Sequence, residues 1–218
     1  LDAPLIAGAI TERNGKIYNT ALLWEAGEGA TDFYDKKHPI PFGEYVPDRE
    51  FWAPFAPDLI GLIGRDYSPG TTDTVFDVDG IVAGLNICFD ISDDAVMTAA
   101  VREGAQVLLA PTNNADFGRT DESVQQLEIA RIRAIELGRS LVNISTVGTS
   151  AIIAPDGSTI DQLETYTAGT MVADVPLSTT ITPASQAGRA IEWFVSGLGL
   201  ALLALAMISE RKTPRHTR

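Results

Sequence analysis

The chain of 218 residues contains a single cysteine, Cys88. An apolar run at residues 81–87 precedes Cys88, and the Ser-Asp-Asp sequence at residues 92–94, typical of a helix start, follows it. This order predicts a thiol on the turn between a buried strand and a helix N-terminus. Because helix N-termini stabilise anions, a thiolate is favoured there, and the position suits a nucleophile. A buried structural cysteine explains the same residue, since free cysteine is among the most buried residue types.

A second stretch that could do chemistry is YDKKHPIPFGEYVP, residues 34–47. It carries Lys36, His38 and Glu44 between three prolines and a glycine, which predicts an ordered loop instead of a helix. Function concentrates in loops that present polar side chains on a stiff backbone. A solvated charged loop is the alternative, because an isolated lysine or glutamate is usually exposed.

The elements that must position these residues follow from the apolar patterns. Residues 5–10 and 17–24 predict a hairpin around the Asn14-Gly15 turn, and a Gly-rich link follows at residues 27–31. Two further strands, residues 74–78 and 81–87, predict a hairpin that leads into Cys88.

After Cys88, a helix at residues 93–103 and a buried strand at residues 107–110 predict a right-handed crossover with parallel strand pairing. A polar loop at residues 111–118 separates that strand from a second helix, residues 120–137. The predicted core face of this helix consists of Val124, Leu127, Ala130, Ala134 and Leu137. Strands are then predicted at residues 141–144, 151–154 and 170–175.

Composition excludes some functions. The net charge of −13 argues against a nucleic-acid partner, which would need a basic surface. One cysteine cannot form an internal disulfide and excludes cysteine-rich zinc sites, so neither a metal site nor a cofactor is predicted.

Residues 51–63, FWAPFAPDLIGLI, form an aromatic and apolar arm with one charge. Prolines interrupt it, so a long helix is not predicted. The arm either fills the core or lies exposed and contacts lipid or an acyl chain, since exposed apolar patches mark interaction sites.

Near the C-terminus, residues 193–208 contain no charge, and such a segment lacks the polar face of a surface helix. We predict a transmembrane helix at 191–209, with Trp193 at the interface and a basic tail at 210–218. The positive-inside rule places the tail in the cytoplasm and the preceding domain, residues 1–187, on the opposite side. A buried C-terminal helix is the alternative.

Several segments together resemble one family. These are YDKKHPIPFGEYVP, GLNICFDI, PTNNADFG, QQLEIARIRAIELGRS and TSAIIAPDG, followed by the apolar helix with its basic tail. In their order and spacing they are similar to the apolipoprotein N-acyltransferases of bacteria, membrane members of the nitrilase (carbon–nitrogen hydrolase) superfamily. The resemblance implies an α/β fold: a nitrilase-like four-layer α-β-β-α sandwich followed by one C-terminal transmembrane helix.

The resemblance also implies a catalytic set. Cys88 matches the nucleophile of the family, Lys36 its catalytic lysine and Glu44 a further active-site glutamate. The general-base glutamate of the family lies in a segment upstream of Leu1, so the chain is expected to be the C-terminal part of a larger enzyme.

Substrate-binding positions are implied at four residues. Phe89 and Asp90 stand where many relatives have Tyr and Glu, and Asn114 and Phe117 lie in the NNADFG loop. Asp116 of that loop occupies a position that is aromatic in many relatives.

The implied reaction is the transfer of an acyl chain from a phospholipid, through a cysteine thioester, to the N-terminal amine of diacylglyceryl-cysteine in apolipoproteins. The implied location is the bacterial cell membrane, with the catalytic domain on the extracytoplasmic side. Two alternatives remain: an amidase or nitrilase of the same superfamily, and a membrane-tethered domain without catalysis if the gene starts near Leu1.

Overall fold

A computed structural model describes residues 3–212, with side chains up to residue 208. The chain divides into two compact units, Leu1–Thr182 and Pro183–Arg218. The predicted division at residues 1–187, 191–209 and 210–218 stays a prediction, and residues 213–218 of the predicted basic tail lie outside the described residues.

The first unit contains a small antiparallel sheet. Its strands are β1 (Leu5–Arg13), β2 (Lys16–Glu25) and β3 (Gly29–Asp35), paired in that order. The predicted hairpin is therefore confirmed. The prediction of a link at residues 27–31 is wrong in part, because residues 29–31 already belong to β3, a polar edge strand held by its backbone pairing with β2.

A larger sheet has six strands in sequence order. They are β4 (Val75–Val78), β5 (Ile81–Leu85), β6 (Val107–Thr112), β7 (Ser140–Ser145), β8 (Ser150–Ile153) and β9 (Thr159–Leu163). β5, β6 and β7 pair in parallel, and the other pairs are antiparallel. Parallel pairing was predicted for the strands before and after the helix at residues 93–103, and the pairing of β5 with β6 confirms it.

Four helices complete the first unit. They are α1 (Arg49–Trp52), α2 (Pro57–Leu62), α3 (Asp94–Arg102) and α4 (Glu122–Leu137). Asp93 caps α3 by accepting hydrogen bonds from the backbone N–H groups of Ala95 and Val96, which confirms the helix start expected at residues 92–94.

The layers are held by two apolar cores. One lies between the sheets, where Ala21, Leu23 and Tyr34 of the small sheet pack with Phe76, Leu85 and Ile87. The other lies between the large sheet and the helices α3 and α4, and includes Met97, Leu108, Leu127 and Leu141. Each buried leucine or isoleucine contributes about 1.5–3 kcal/mol.

Close packing beside the site requires a glycine in β5. A Cβ atom at Gly84 would lie 2.7 Å from Leu108 Cδ2 and 3.0 Å from the Cβ atoms of Ala100 and Ala105. Gly84 therefore lets α3 approach the strand that leads to Cys88.

Two more sequence predictions are wrong. Residues 170–175 form no strand, and Val172 is 91% exposed. Val124 is exposed, whereas the other four predicted core residues of α4 are buried, because the helical rotation puts Val124 outside the arc that faces the sheet.

The second unit consists of α5 (Pro183–Ala187) and α6 (Ala190–Lys212). Residues Ala190–Ile208 are long and apolar enough to cross a membrane, and none of that segment is buried. The alternative of a buried C-terminal helix is therefore wrong, and the helix fits the predicted single transmembrane helix by its length and composition.

Candidate active site

Cys88 begins a single turn of 3-10 helix, Cys88–Ser92, which we call the Cys88 turn. It lies three residues beyond the end of β5, and α3 starts only at Asp94. The thiol therefore lies on the turn between β5 and α3, as predicted, and this short turn separates it from the N-terminus of α3. Cys88 has a φ of 53°, a left-handed conformation that is rare for a residue with a side chain and recurs at functional sites.

A buried hydrogen bond connects this turn to the small sheet. The Tyr34 hydroxyl donates to Asp90 Oδ2 at 2.9 Å, and the backbone N–H of Ile87 donates to the same oxygen at 3.1 Å. Burial raises the pKa of the Asp90 carboxyl, although the positive charge of Lys36 opposes this shift. Burial, together with the Asp90 charge, raises the pKa of Tyr34 far above its usual value, so Tyr34 stays a hydroxyl donor.

Lys36 is 1% exposed and lies directly after β3. Its Nζ donates to Glu44 Oε2 at 2.7 Å. Glu44 also accepts from Asn19 Nδ2 at 2.9 Å and from the backbone N–H of Ile40 at 2.8 Å. The Pro-rich loop thus folds back so that Glu44 orients the ammonium group, as a buried cation requires.

The Cys88 thiol contacts a side chain of α4. Gln126 Nε2 lies 3.5 Å from Cys88 Sγ, within hydrogen-bonding distance of a sulfur acceptor. Gln126 Oε1 accepts from Asn114 Nδ2 at 2.6 Å, and Asn114 Oδ1 accepts from Ser145 Oγ at 2.6 Å. The carboxamide of Asn114 is therefore buried and engaged by protein groups at both ends.

A pocket of about 280 Å³ opens beside the Cys88 turn. Its lining includes Phe89, Asp90, His38 and Ile40. Phe89 is half exposed, and Asp90 Oδ1 is buried without a hydrogen-bond partner among the described residues. Such an oxygen can accept a donor from a bound molecule.

The structure thus brings Cys88 and Asp90 into one region with Lys36 and Glu44, whose charges both act on the Asp90 carboxyl. Phe117 is half buried in a separate 3-10 turn, Ala115–Phe117. The catalytic roles of Cys88, Lys36 and Glu44 and the predicted substrate contacts at Phe89, Asp90, Asn114 and Phe117 stay predictions.

Three residues whose side chains contact predicted site residues were not singled out from the sequence. They are Asn19, Tyr34 and Gln126, which contact Glu44, Asp90 and Cys88, respectively. Only Gln126 left a usable signal there. It lies four residues before Ala130, in register with the buried face of α4, where a polar side chain needs a buried partner.

The apolar arm, residues 51–63, is exposed. Phe55, Leu59 and Leu62 are largely exposed, while Ile60 is buried. The interpretation of the arm as a core-filling segment is therefore wrong. Arg49 fixes its base by two hydrogen bonds to the Asp66 carboxylate, at 2.7 and 3.0 Å.

Comparison with known proteins gives a consistent family. Residues 2–183 match the model of the family described as carbon–nitrogen hydrolase. An apolipoprotein N-acyltransferase from Mycolicibacterium smegmatis is 33% identical over 100% of this chain and 37% of its own length. A second, from Ralstonia nicotianae, is 33% identical over 82% of this chain and 34% of its own length. The chain spans about a third of the length of these curated relatives.

Solved structures agree on the fold. An amidase of the nitrilase superfamily from Nesterenkonia matches with a TM-score of 0.61 at 22% identity, over 86% of this chain and 65% of the amidase. A carbon–nitrogen hydrolase from Helicobacter pylori matches with a TM-score of 0.55 at 20% identity, over 74% of this chain and 58% of its own. The predicted nitrilase-like fold is confirmed.

Proposed function

We propose that this chain, which belongs to the carbon–nitrogen hydrolase family, is the catalytic part of an apolipoprotein N-acyltransferase. The observation that carries the proposal is the Cys88 turn, together with a buried Lys36 paired with Glu44, in a chain that also has an exposed apolar helix. Its relatives named apolipoprotein N-acyltransferase support the same reaction class.

In the first half-reaction, the Cys88 thiolate attacks the ester carbonyl carbon of a phospholipid. A carbon–sulfur bond forms, the ester carbon–oxygen bond breaks, and a lysophospholipid leaves with the thiol proton on its new hydroxyl. The family resemblance assigns this proton transfer to a glutamate upstream of the matched motifs. Lys36, oriented by Glu44, and the backbone N–H of Phe89 stabilise the oxyanion of the tetrahedral intermediate.

In the second half-reaction, the N-terminal amine of a diacylglyceryl-cysteine attacks the thioester. An amide bond forms, the carbon–sulfur bond breaks, and the thiol is regenerated. Asp90 lines the pocket, and a carboxylate there suits an incoming amine, which is a hydrogen-bond donor. A covalent intermediate with two successive substrates gives ping-pong kinetics.

Both substrates are anchored in lipid, which gives a physical reason for α6. Residues Ala190–Ile208 have the length and composition to hold the domain at a bilayer. The proposed location is the bacterial cell membrane, with the catalytic domain on the extracytoplasmic side and the tail at 210–218 in the cytoplasm.

The test is lipoprotein N-acylation by the intact protein in phospholipid vesicles. We expect Cys88→Ala to give no product above background and no thioester. Lys36→Ala should reduce the rate about 10²–10³-fold, because one oxyanion donor is lost. Lys16→Ala removes an exposed lysine of β2 and serves as the matched control.

Normal N-acylation by Cys88→Ala would exclude the proposed nucleophile. Release of ammonia from small amides, with no acyl transfer to a lipoprotein peptide, would instead identify a hydrolase of the same family.

A further inference from the structure

We propose that Gln126 is a positioning residue that donates an N–H hydrogen bond to Cys88 Sγ and thereby stabilises the thiolate. The inference rests on the proposed function only in taking Cys88 as the nucleophile. It adds a residue of α4, outside the Cys-Lys-Glu set, to the groups that prepare the thiol.

Neighbouring groups fix the orientation of the Gln126 carboxamide. Its Oε1 accepts from Asn114 Nδ2 at 2.6 Å and from Thr112 Oγ1 at 3.5 Å. Asn114 Nδ2 can only donate, so the Gln126 oxygen must face it. The Nε2 group then points to Cys88 Sγ, at 3.5 Å.

Hydrogen bonds from neighbouring groups also fix the orientation of the Asn114 carboxamide. Its Oδ1 accepts from Ser145 Oγ at 2.6 Å, and that hydroxyl accepts from the backbone N–H of Gly148 at 3.0 Å. A Cβ atom at Gly148 would lie 2.5 Å from Asn114 Oδ1, so the absence of a side chain there makes this arrangement possible. Connected hydrogen bonds of this kind polarise one another, which strengthens the last donor, Gln126.

The helix that carries Gln126 is tied to the Cys88 turn at a second point. Arg133 Nε donates to the carbonyl of Ile91 at 2.9 Å, and Arg133 Nη2 donates to the carbonyl of Ser92 at 3.1 Å. Two turns of α4 therefore contact the two ends of the Cys88 turn. This fixes the separation between the Gln126 amide and the sulfur.

The chemical consequence follows from charge. A hydrogen bond to an ionised acceptor is about twice as strong as one to a neutral acceptor, so the Gln126 N–H favours the thiolate over the thiol. A carboxamide is neither protonated nor deprotonated near neutral pH, so Gln126 does not act as a second base. Its contribution is to hold the sulfur ionised and in place.

The experiment measures ionisation of the thiol independently of acyl transfer. Intact protein in detergent is alkylated with iodoacetamide, in which the thiolate displaces iodide and forms a sulfur–carbon bond. The rate at Cys88 is followed by peptide mass spectrometry from about pH 5 to about pH 10. The variants are Gln126→Glu, which keeps the shape but places a carboxylate beside the sulfur, and Gln126→Met, which keeps the volume but removes the donor.

Gln125, the preceding residue of α4, is exposed and offers matched controls, Gln125→Glu and Gln125→Met. We expect the midpoint of the pH–rate profile to rise by about one pH unit in Gln126→Glu and by less in Gln126→Met. The rate at neutral pH should fall up to about ten-fold, whereas the Gln125 controls should match the wild type.

Circular dichroism verifies folding of each variant. If Gln126→Met does not fold, Asn114→Ala, which removes the donor that orients Gln126, decides in its place, because it adds no charge beside the sulfur. A wild-type profile in folded Gln126 variants would overturn the proposal. Acyl transfer by Cys88→Ala would contradict the proposed function, yet the alkylation profiles would still report whether Gln126 acts on the sulfur.

Discussion

At the scale of single residues, β3 separates a structural carboxylate from the site by simple alternation. Tyr34 packs in the core between the sheets, and Asp35 points to the opposite face of β3. There Asp35 accepts from Thr20 Oγ1 at 2.7 Å and pairs with Arg13. Two consecutive polar side chains thus have different partners, and only Tyr34 contacts the Cys88 turn, through Asp90.

Asp90 provides a pH-dependent test at this scale. Because burial raises its pKa in the folded protein above the unfolded value of 3.8, the folded state favours the protonated carboxyl. This contribution to stability is complete below the unfolded pKa and is lost as pH rises through the folded pKa. Asp90→Asn keeps the acceptor for Tyr34 and Ile87 and cannot ionise. We therefore expect its stability to improve relative to wild type as the pH rises above 3.8.

The measurement is the thermal unfolding midpoint of the intact protein in detergent at several pH values. Asp58→Asn changes an exposed carboxylate of α2 and serves as control, so its difference from wild type should stay constant. A constant difference for Asp90→Asn as well would show that the buried carboxyl does not control this pH dependence.

The residues of the site were predictable to different degrees. Cys88, Lys36 and Glu44 stand in contiguous motifs whose residue types indicate their chemistry. The contact partners of Tyr34 and Gln126 were not predictable, because they are 56 and 38 residues away in sequence and only the packing of the sheets and α4 brings them together. Asp90 was predicted as a substrate contact, but its unpartnered oxygen is visible only in the structure.

At the scale of elements, strands and helices with strong apolar patterns were predictable, and the polar edge strands β3 and β9 were not. β5, β6 and α3 have strong apolar patterns, and the structure has them where predicted. β9 (TIDQL) is polar and exists because its backbone pairs with β8. Residues 170–175 were predicted as a strand from their apolar residues but belong to neither sheet, so the pattern alone was not sufficient.

One buried side chain holds residues 176–182, which follow that segment, to the domain. Arg139, 1% exposed, donates to the backbone carbonyls of Ala105 and Thr180, each at 2.6 Å, and to Ser178 Oγ at 3.3 Å. These bonds connect the start of β7 to residues 176–182, which lead out of the first unit.

We expect Arg139→Met to destabilise the protein by about 2–4 kcal/mol, since it leaves buried carbonyl groups unpaired. The unfolding midpoint should fall by about 5–10 °C in a thermal scan of the intact protein. Arg102→Met, an exposed arginine at the end of α3, should change stability by no more than about 0.5 kcal/mol. If the two variants have the same unfolding midpoint, the Arg139 contacts make no net contribution to the free energy of unfolding.

At the scale of the whole molecule, two segments expose large apolar side chains that a water-soluble surface would avoid. One is α6, whose segment Ala190–Ile208 suits a bilayer. The other is the arm, where Phe51, Phe55 and Leu62 are mostly exposed although aromatic contacts order them. Exposed apolar surface of this kind marks contact with lipid or with a partner. We infer that the arm contacts lipid, because both proposed substrates carry acyl chains.

A spin label on the arm tests this inference in the intact protein. Leu62, 80% exposed, is replaced by cysteine in a Cys88→Ala background without other cysteines, and Lys16→Cys in β2 is the matched control. In phospholipid vesicles, we expect the label at position 62 to collide mainly with oxygen, which concentrates in the hydrocarbon region. The label at position 16 should collide mainly with a nickel chelate, which stays in water. If both labels respond equally to the chelate, the arm lies in water, and its exposed aromatic cluster must instead serve a contact with protein.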